Sequence, residues 1–258
     1  MLTPTIFFGH GSPLMTLGRN RWTEAWAKMG QSVARPKGIL CVSAHWYTSG
    51  PAVTINTAPR TIHDFGGFPQ ALYDIQYPAP GDPALARRAR QLLAPIPVEL
   101  SEQWGYDHGT WTVLRHMYPD ASVPIVQLSI DGAKPPQYHY DTGRRLAPLR
   151  AEGVMIVGSG NLVHNLMAYR GNQPGFPAFD WAVRFEAWAR GAIEAKNFEA
   201  LTQYRKLGMD AALSAPTSEH YLPLLYVAGA GGKDEPLAFP IEGIDGGAVS
   251  MLTVQIGA

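Results

Sequence analysis

GILCVSAHW, residues 38–46, decides the fold. Its apolar run Gly38–Val42 does not alternate, and it ends in a small polar turn that carries a histidine. A run of this kind suits a strand buried on both faces, as in a mostly parallel sheet. The pattern recurs on either side. Thr5–Phe8 leads into Gly-His-Gly-Ser-Pro at 9–13, Val123–Leu128 into Ser-Ile-Asp, and Val154–Val157 into Gly-Ser-Gly-Asn at 158–161. Val53–Asn56 and Ala248–Ile256 read as further strands. Helical patterns lie between them, at Trp22–Met29, Pro83–Leu93, Thr110–Met117, Gln137–Arg150, Ala178–Ala195 and Glu219–Ala228. Asp82 is placed to cap the second of these, with Pro83 in its first turn. Strands alternating with helices predict an α/β fold. We expect one domain over residues 1–258, with a central mostly parallel or mixed sheet flanked by helices.

Composition sets the bounds. The chain has 258 residues, 46% of them apolar, which excludes intrinsic disorder. Lys plus Arg equals Asp plus Glu at 21 each, and no basic cluster exceeds two residues, which argues against a nucleic-acid partner. The single cysteine, Cys41, excludes an intrachain disulfide and a cysteine-rich zinc site, and fits a reducing cytoplasm. The first residues, MLTPTIFFGHGSP, do not read as a signal peptide, and no apolar run approaches the roughly 18 residues that span a bilayer. A monomer and a small homo-oligomer fit equally.

The chemistry collects at the histidines. His10 and His45 both follow expected strands, and His164 follows a third after Gly-Ser-Gly-Asn. In open α/β sheets ligands bind outside the carboxyl ends of strands, so these imidazoles are expected at one edge. Neutral imidazoles leave open positions on a bound metal for water or substrate. Two long loops, residues 57–81 and 101–111, are rich in Gly, Pro and aromatics and carry His63 and His108. His116 and His139 read as packing or surface residues. Ser12 and Ser43 lack a nucleophile elbow, and the glycines at 158–160 lack the Lys-Ser/Thr continuation of a phosphate loop.

Taken together the motifs resemble a known family. GHGSP at 9–13, SAHW at 43–46, TIHDFGGFPQALYDIQYPAPG at 61–81, WGYDHGTW at 104–111, VPIVQLSID at 123–131, GSGNLVHN at 158–165 and SEHYLPLLYVAGA at 218–230 are similar to segments of the class III extradiol ring-cleavage dioxygenases. Within that family they resemble the bacterial 4,5-DOPA dioxygenase group. The resemblance implies a catechol such as L-DOPA, opened at the 4,5 bond with insertion of both atoms of O2. It implies one divalent metal ion, Fe(II) for turnover and zinc in purified protein. His10 and His45 match two metal-binding histidines, and His220 falls where the third ligand is expected, with Glu219 as fallback. His164 matches an acid/base histidine that can also enter the coordination shell of a resting zinc form. His108 matches a histidine near the substrate, placed to donate a hydrogen bond. Trp46, Phe65, Phe68, Trp104 and Tyr221 are candidates to line the ring pocket. Arg60, Arg170 and Lys134 are candidate partners for a substrate carboxylate.

Two other readings share the same residues. Three imidazoles on zinc can lower the pKa of a bound water to about 7, giving a hydrolase with Glu219 or Asp107 as acid/base. A non-enzymatic metal-binding protein on the same scaffold is the other, although His10, His45 and His220 are all present.

Overall fold

Along β1 (Thr5–Gly9), Phe7 enters one apolar cluster while Ile6 and Phe8 enter another. In β2 (Gly38–Thr48), Leu40 and Val42 join the first cluster and Ile39 and Cys41 the second. Successive side chains of a strand point to opposite faces, so a run apolar at every position needs cover on both. The computed structural model, which describes residues 2–173 and 175–258, supplies that cover with helices on each side of one large sheet.

The remaining strands are β3 (Ala52–Thr54), β4 (Glu99–Ser101), β5 (Ile125–Asp131), β6 (Val154–Gly160), β7 (Leu237–Ile241), β8 (Ile244–Asp245), β9 (Val249–Ser250) and β10 (Thr253–Ile256). Eight of them form a sheet in the order β4-β3-β5-β2-β6-β1-β10-β7, and β8 pairs with β9. The central strands β5, β2, β6 and β1 are parallel, whereas β10 and β7 continue one side antiparallel and β3 meets β5 antiparallel on the other. The sheet is therefore mixed, with a parallel centre, within an α/β architecture. The carboxyl ends of β1, β2 and β6 lie at one edge.

The α-helices are α1 (Arg21–Ser32), α2 (Gln70–Tyr73), α3 (Pro83–Leu93), α4 (His108–Met117), α5 (Pro136–Leu146), α6 (Pro148–Ala151), α7 (Asp180–Glu194), α8 (Met209–Ser214) and α9 (Leu222–Ala230). Asp82 caps α3 as its sequence suggests, its Oδ1 accepting from the N–H groups of Ala84 and Leu85 at 2.9 and 3.0 Å. α9 is buried on every side, which explains why its sequence is apolar all round.

The boundaries differ from expectation in informative places. Ser-Ala-His-Trp at 43–46 is not a turn: β2 runs through it to Thr48, with a register shift against β5 between Val42 and Tyr47. Gly158, Ser159 and Gly160 likewise belong to β6 rather than to a following turn. The helix expected over Gln137–Arg150 breaks before Pro148, whose ring excludes the carbonyl four residues back. The strand expected over Ala248–Ile256 divides into β9 and β10. The edge strand β7 was not expected. Its outward positions, Ala238 and Pro240, are exposed, and proline is tolerated at sheet edges.

Candidate metal centre

His10 follows the last residue of β1, and its N–H continues the ladder to the Gly160 carbonyl at 3.0 Å. His45 lies inside β2, within the stretch between Val42 and Tyr47 where the register against β5 shifts. His220 comes from the segment before α9. It is drawn to the sheet edge by the Asn161 N–H, which donates to its carbonyl at 2.9 Å. Gly160 makes this approach possible, since a Cβ there would collide with the His220 carbonyl oxygen. Three distant stretches thus converge. His10, His45 and His220 each offer a ring nitrogen, all within 4.8 Å of one another.

Hydrogen bonds decide which nitrogen that is. Ser159 Oγ donates to the Gly109 carbonyl, so it accepts from His10 Nδ1 at 3.0 Å. His45 Nδ1 donates to Asp64 Oδ2 at 3.2 Å, and His220 Nδ1 to Glu219 Oε1 at 3.2 Å. Each neutral ring then keeps its lone pair on Nε2. The Nε2 atoms of His10 and His45 stand 3.2 Å apart, two acceptors facing each other with no proton between them. Two ligands about 2.1 Å from a shared ion have about this spacing. The donor set fits one divalent cation, with an oxygen acceptor behind every imidazole.

Electrostatics favour the ligand form. Burial is the largest cause in lowering the pKa of His10 and His220 well below the usual value, and that of His45 to about 3. All three are neutral at pH 7 without any metal.

His164 and His108 flank this trio. His164 stacks on His220 with ring centroids 3.5 Å apart, and burial lowers its pKa to about 4. Among the described residues no hydrogen bond engages its ring. His108 opens α4 and packs on His45 at 3.8 Å. Its backbone N–H and its Nδ1 both donate to Asp64, at 2.8 and 2.9 Å. With Nδ1 committed to Asp64, Nε2 is the ring nitrogen of His108 left for the cavity. Gly109 sets the fit of α4 against β2, because a Cβ there would meet Ser43 Oγ at 2.5 Å and His45 Cδ2 at 2.9 Å.

The five histidines open into a cavity of about 620 Å³. Phe65 and Phe68 line it, together with Leu14, Leu166 and Val249. Trp46 and Tyr221 do not. Trp46 stacks on Trp104 at 5.6 Å, and Trp104 Nε1 donates to Asp107 Oδ2 at 3.3 Å behind the site. Tyr221 is fully buried against Tyr204, and its hydroxyl donates to the Leu201 carbonyl at 2.9 Å. Both belong to the core rather than to a ring pocket. Glu219 meets the Nδ1 side of His220, the opposite edge from the convergent Nε2 atoms. Asp107 is wholly buried and accepts from Ser43 Oγ at 2.6 Å, from Gln127 Nε2 and from the Thr110 N–H. It braces α4 and is closed off from the cavity. His63 Nε2 donates to the Ile75 carbonyl of its own loop, 3.0 Å away. His116 bonds Thr16 and His139 bonds Tyr226, both as packing residues.

Sequence reasoning overlooked Asp64 and Ser159. Asp64 stands in the quoted TIHDFGGFP stretch, beside the histidine that drew attention. Burial penalises its charge, yet the hydrogen bonds from His108 hold its carboxyl below the usual range.

Comparison with known proteins identifies the family. Residues 15–251 match the family described as the catalytic LigB subunit of aromatic ring-opening dioxygenase. A 4,5-DOPA dioxygenase extradiol from Escherichia coli K12 is 51% identical, over 98% of this chain and 94% of that protein. One from Mirabilis jalapa is 37% identical over 89% of this chain and 87% of its own length. The crystal structure of an uncharacterized Escherichia coli K12 protein superposes with a TM-score of 0.87 at 46% identity, covering 99% of this chain and all of that one. The chain belongs to the LigB family of aromatic ring-opening dioxygenases, and it is a metal-dependent extradiol ring-cleaving dioxygenase.

Proposed function

We propose that His10, His45 and His220 hold one Fe(II) ion and that the enzyme opens a catechol, with L-DOPA and 4,5-cleavage suggested by the relatives' names. The observation that carries this reading is the convergence of three Nε2 lone pairs, each ring having its Nδ1 proton committed to an oxygen. Fe(II), when bound, supplies open coordination positions and the redox chemistry that joins catechol to O2; zinc, expected in protein purified without iron, lacks that chemistry.

The side chains do the rest. His164 takes a proton from one catechol hydroxyl and later returns it to an oxygen of the opened ring. Its imidazole is neutral and, among the described residues, has no competing ring hydrogen bond, so it is free to accept the proton. His108 Nε2 hydrogen-bonds the second catechol oxygen, with Asp64 holding the ring through Nδ1. Phe65 and Phe68 flank the ring and exclude water. We read residues 1–258 as one catalytic domain, acting in the cytoplasm.

The test is anaerobic loading with Fe(II), addition of L-DOPA or another catechol, and admission of oxygen. Oxygen uptake matched by a yellow semialdehyde, lost in His164→Ala while bound iron is retained, is the expected result. No uptake with any catechol overturns the reading.

A further inference from the structure

The cavity in front of the histidines is unusually poor in charge. Leu14, Phe65, Phe68, Leu166 and Val249 form its wall, and the ring of Tyr169 adds to it while its hydroxyl is spent on Asp245. Among the described residues no Lys or Arg side chain lines it. The candidate carboxylate partners Arg60, Arg170 and Lys134 are not part of its wall. Arg170 donates to the carbonyls of Met167 and Tyr169 at 3.3 and 3.0 Å, and Arg60 to the Gln103 carbonyl at 3.4 Å. Lys134 lies over the Tyr138 ring. The charged groups nearest the histidines are the acids Asp64 and Glu219, which repel an anion. The neutral polar groups at the mouth are few. Ser12 Oγ accepts from the Leu14 N–H and keeps its own O–H, and the Asn172 amide is the other side-chain polar group.

A substrate carboxylate placed against this wall gives up water for apolar side chains and finds no cationic side chain there. An alkyl chain gains by the same move. We infer that the preferred substrates are catechols whose ring substituent is uncharged and apolar, and that an amino-acid or carboxylate side chain is carried at a loss. The inference rests on the ring-cleavage reading for the identity of the ring, and on the cavity wall alone for its substituent.

The test is calorimetric binding under argon to Fe(II)-loaded protein, with 4-propylcatechol, 3-(3,4-dihydroxyphenyl)propanoate and L-DOPA as probes. The first two differ chiefly in a terminal methyl against a carboxylate. The propyl compound is expected to bind at least about tenfold tighter than the propanoate. Each methylene added between methyl and propyl is expected to gain about fourfold. Leu166 is 64% exposed, so Leu166→Arg is expected to fold, and it should narrow the propyl-to-propanoate ratio at least about fivefold. Equal or tighter binding of propanoate or L-DOPA by the unaltered protein overturns the inference. If propylcatechol binds preferentially but no oxygen is consumed on its admission, the ring-cleavage reading falls and the substituent preference stands. If no catechol binds, both fall.

Discussion

Asp64 holds His108 at two points, accepting from its backbone N–H at 2.8 Å and from its Nδ1 at 2.9 Å. The same carboxylate accepts from His45 Nδ1 at 3.2 Å. One acid thus orients two imidazoles, His45 of the candidate metal centre and His108 beside it. Asp64→Asn keeps the shape but replaces an acceptor oxygen with an NH2 group or weakens it. We expect a loss of about 10- to 100-fold in both iron affinity and kcat. Iron titration alongside steady-state oxygen uptake checks this; a variant that loses neither would leave Asp64 without a positioning role.

Ser159 plays the corresponding part for His10. Its hydroxyl proton goes to Gly109, so only its lone pairs face the ring. Ser159→Ala removes the acceptor and frees His10 to switch tautomers. Iron affinity is expected to fall by about tenfold or more, and the loss of two buried hydrogen bonds is expected to cost about 1–3 kcal/mol of stability. Wild-type iron affinity in this variant would contradict the assignment.

Gly160 lets the His220 segment approach the end of β6. Gly160→Ala forces that segment away and costs about 1–3 kcal/mol of stability. The displacement should also lower iron affinity more than Gly191→Ala, a substitution in α7 where a Cβ meets open space. Urea melts and iron titration of the two variants make the comparison.

Away from the site, Arg150 ties four segments together. It is 2% exposed and donates to the Thr3 and Ala230 carbonyls and to Glu235. The hydrogen bond from Arg150 is the main cause that holds the Glu235 carboxyl below its usual range. A carboxyl with a depressed folded pKa stabilises the fold fully above its unfolded value, about 4.3, and loses that contribution as pH falls through the folded value. Glu235→Gln should therefore flatten the loss of stability between about pH 5 and pH 3. Denaturant midpoints measured across that window decide it, and an unchanged acid slope would count against the pair.

The fold was legible where one residue type has one physical use. Doubly buried strands must be apolar at every position, so β1, β2, β5 and β6 were visible, and Asp82-Pro83 announced the start of α3. His10 was legible from its place after a strand. His220 was not: it lies 60 residues beyond Gly160, and only the family resemblance pointed to it before the tertiary contact with Asn161 was seen. Trp46 and Tyr221 show the opposite failure. An aromatic side chain serves a core as well as a pocket, and local sequence does not distinguish the two. Asp64 was hidden because its partners, His45 and His108, come from other segments of the chain.

The central claim is that His10, His45 and His220 hold the metal while His164 works beside it. Fe(II) affinity, measured anaerobically for the unaltered protein and for the variants His10→Ala, His45→Ala, His220→Ala and His164→Ala, tests it most directly. The first three variants are expected to lose more than about 100-fold in affinity, and His164→Ala less than about threefold. Loss of iron from His164→Ala as complete as from His220→Ala would contradict the account and make His164 a ligand.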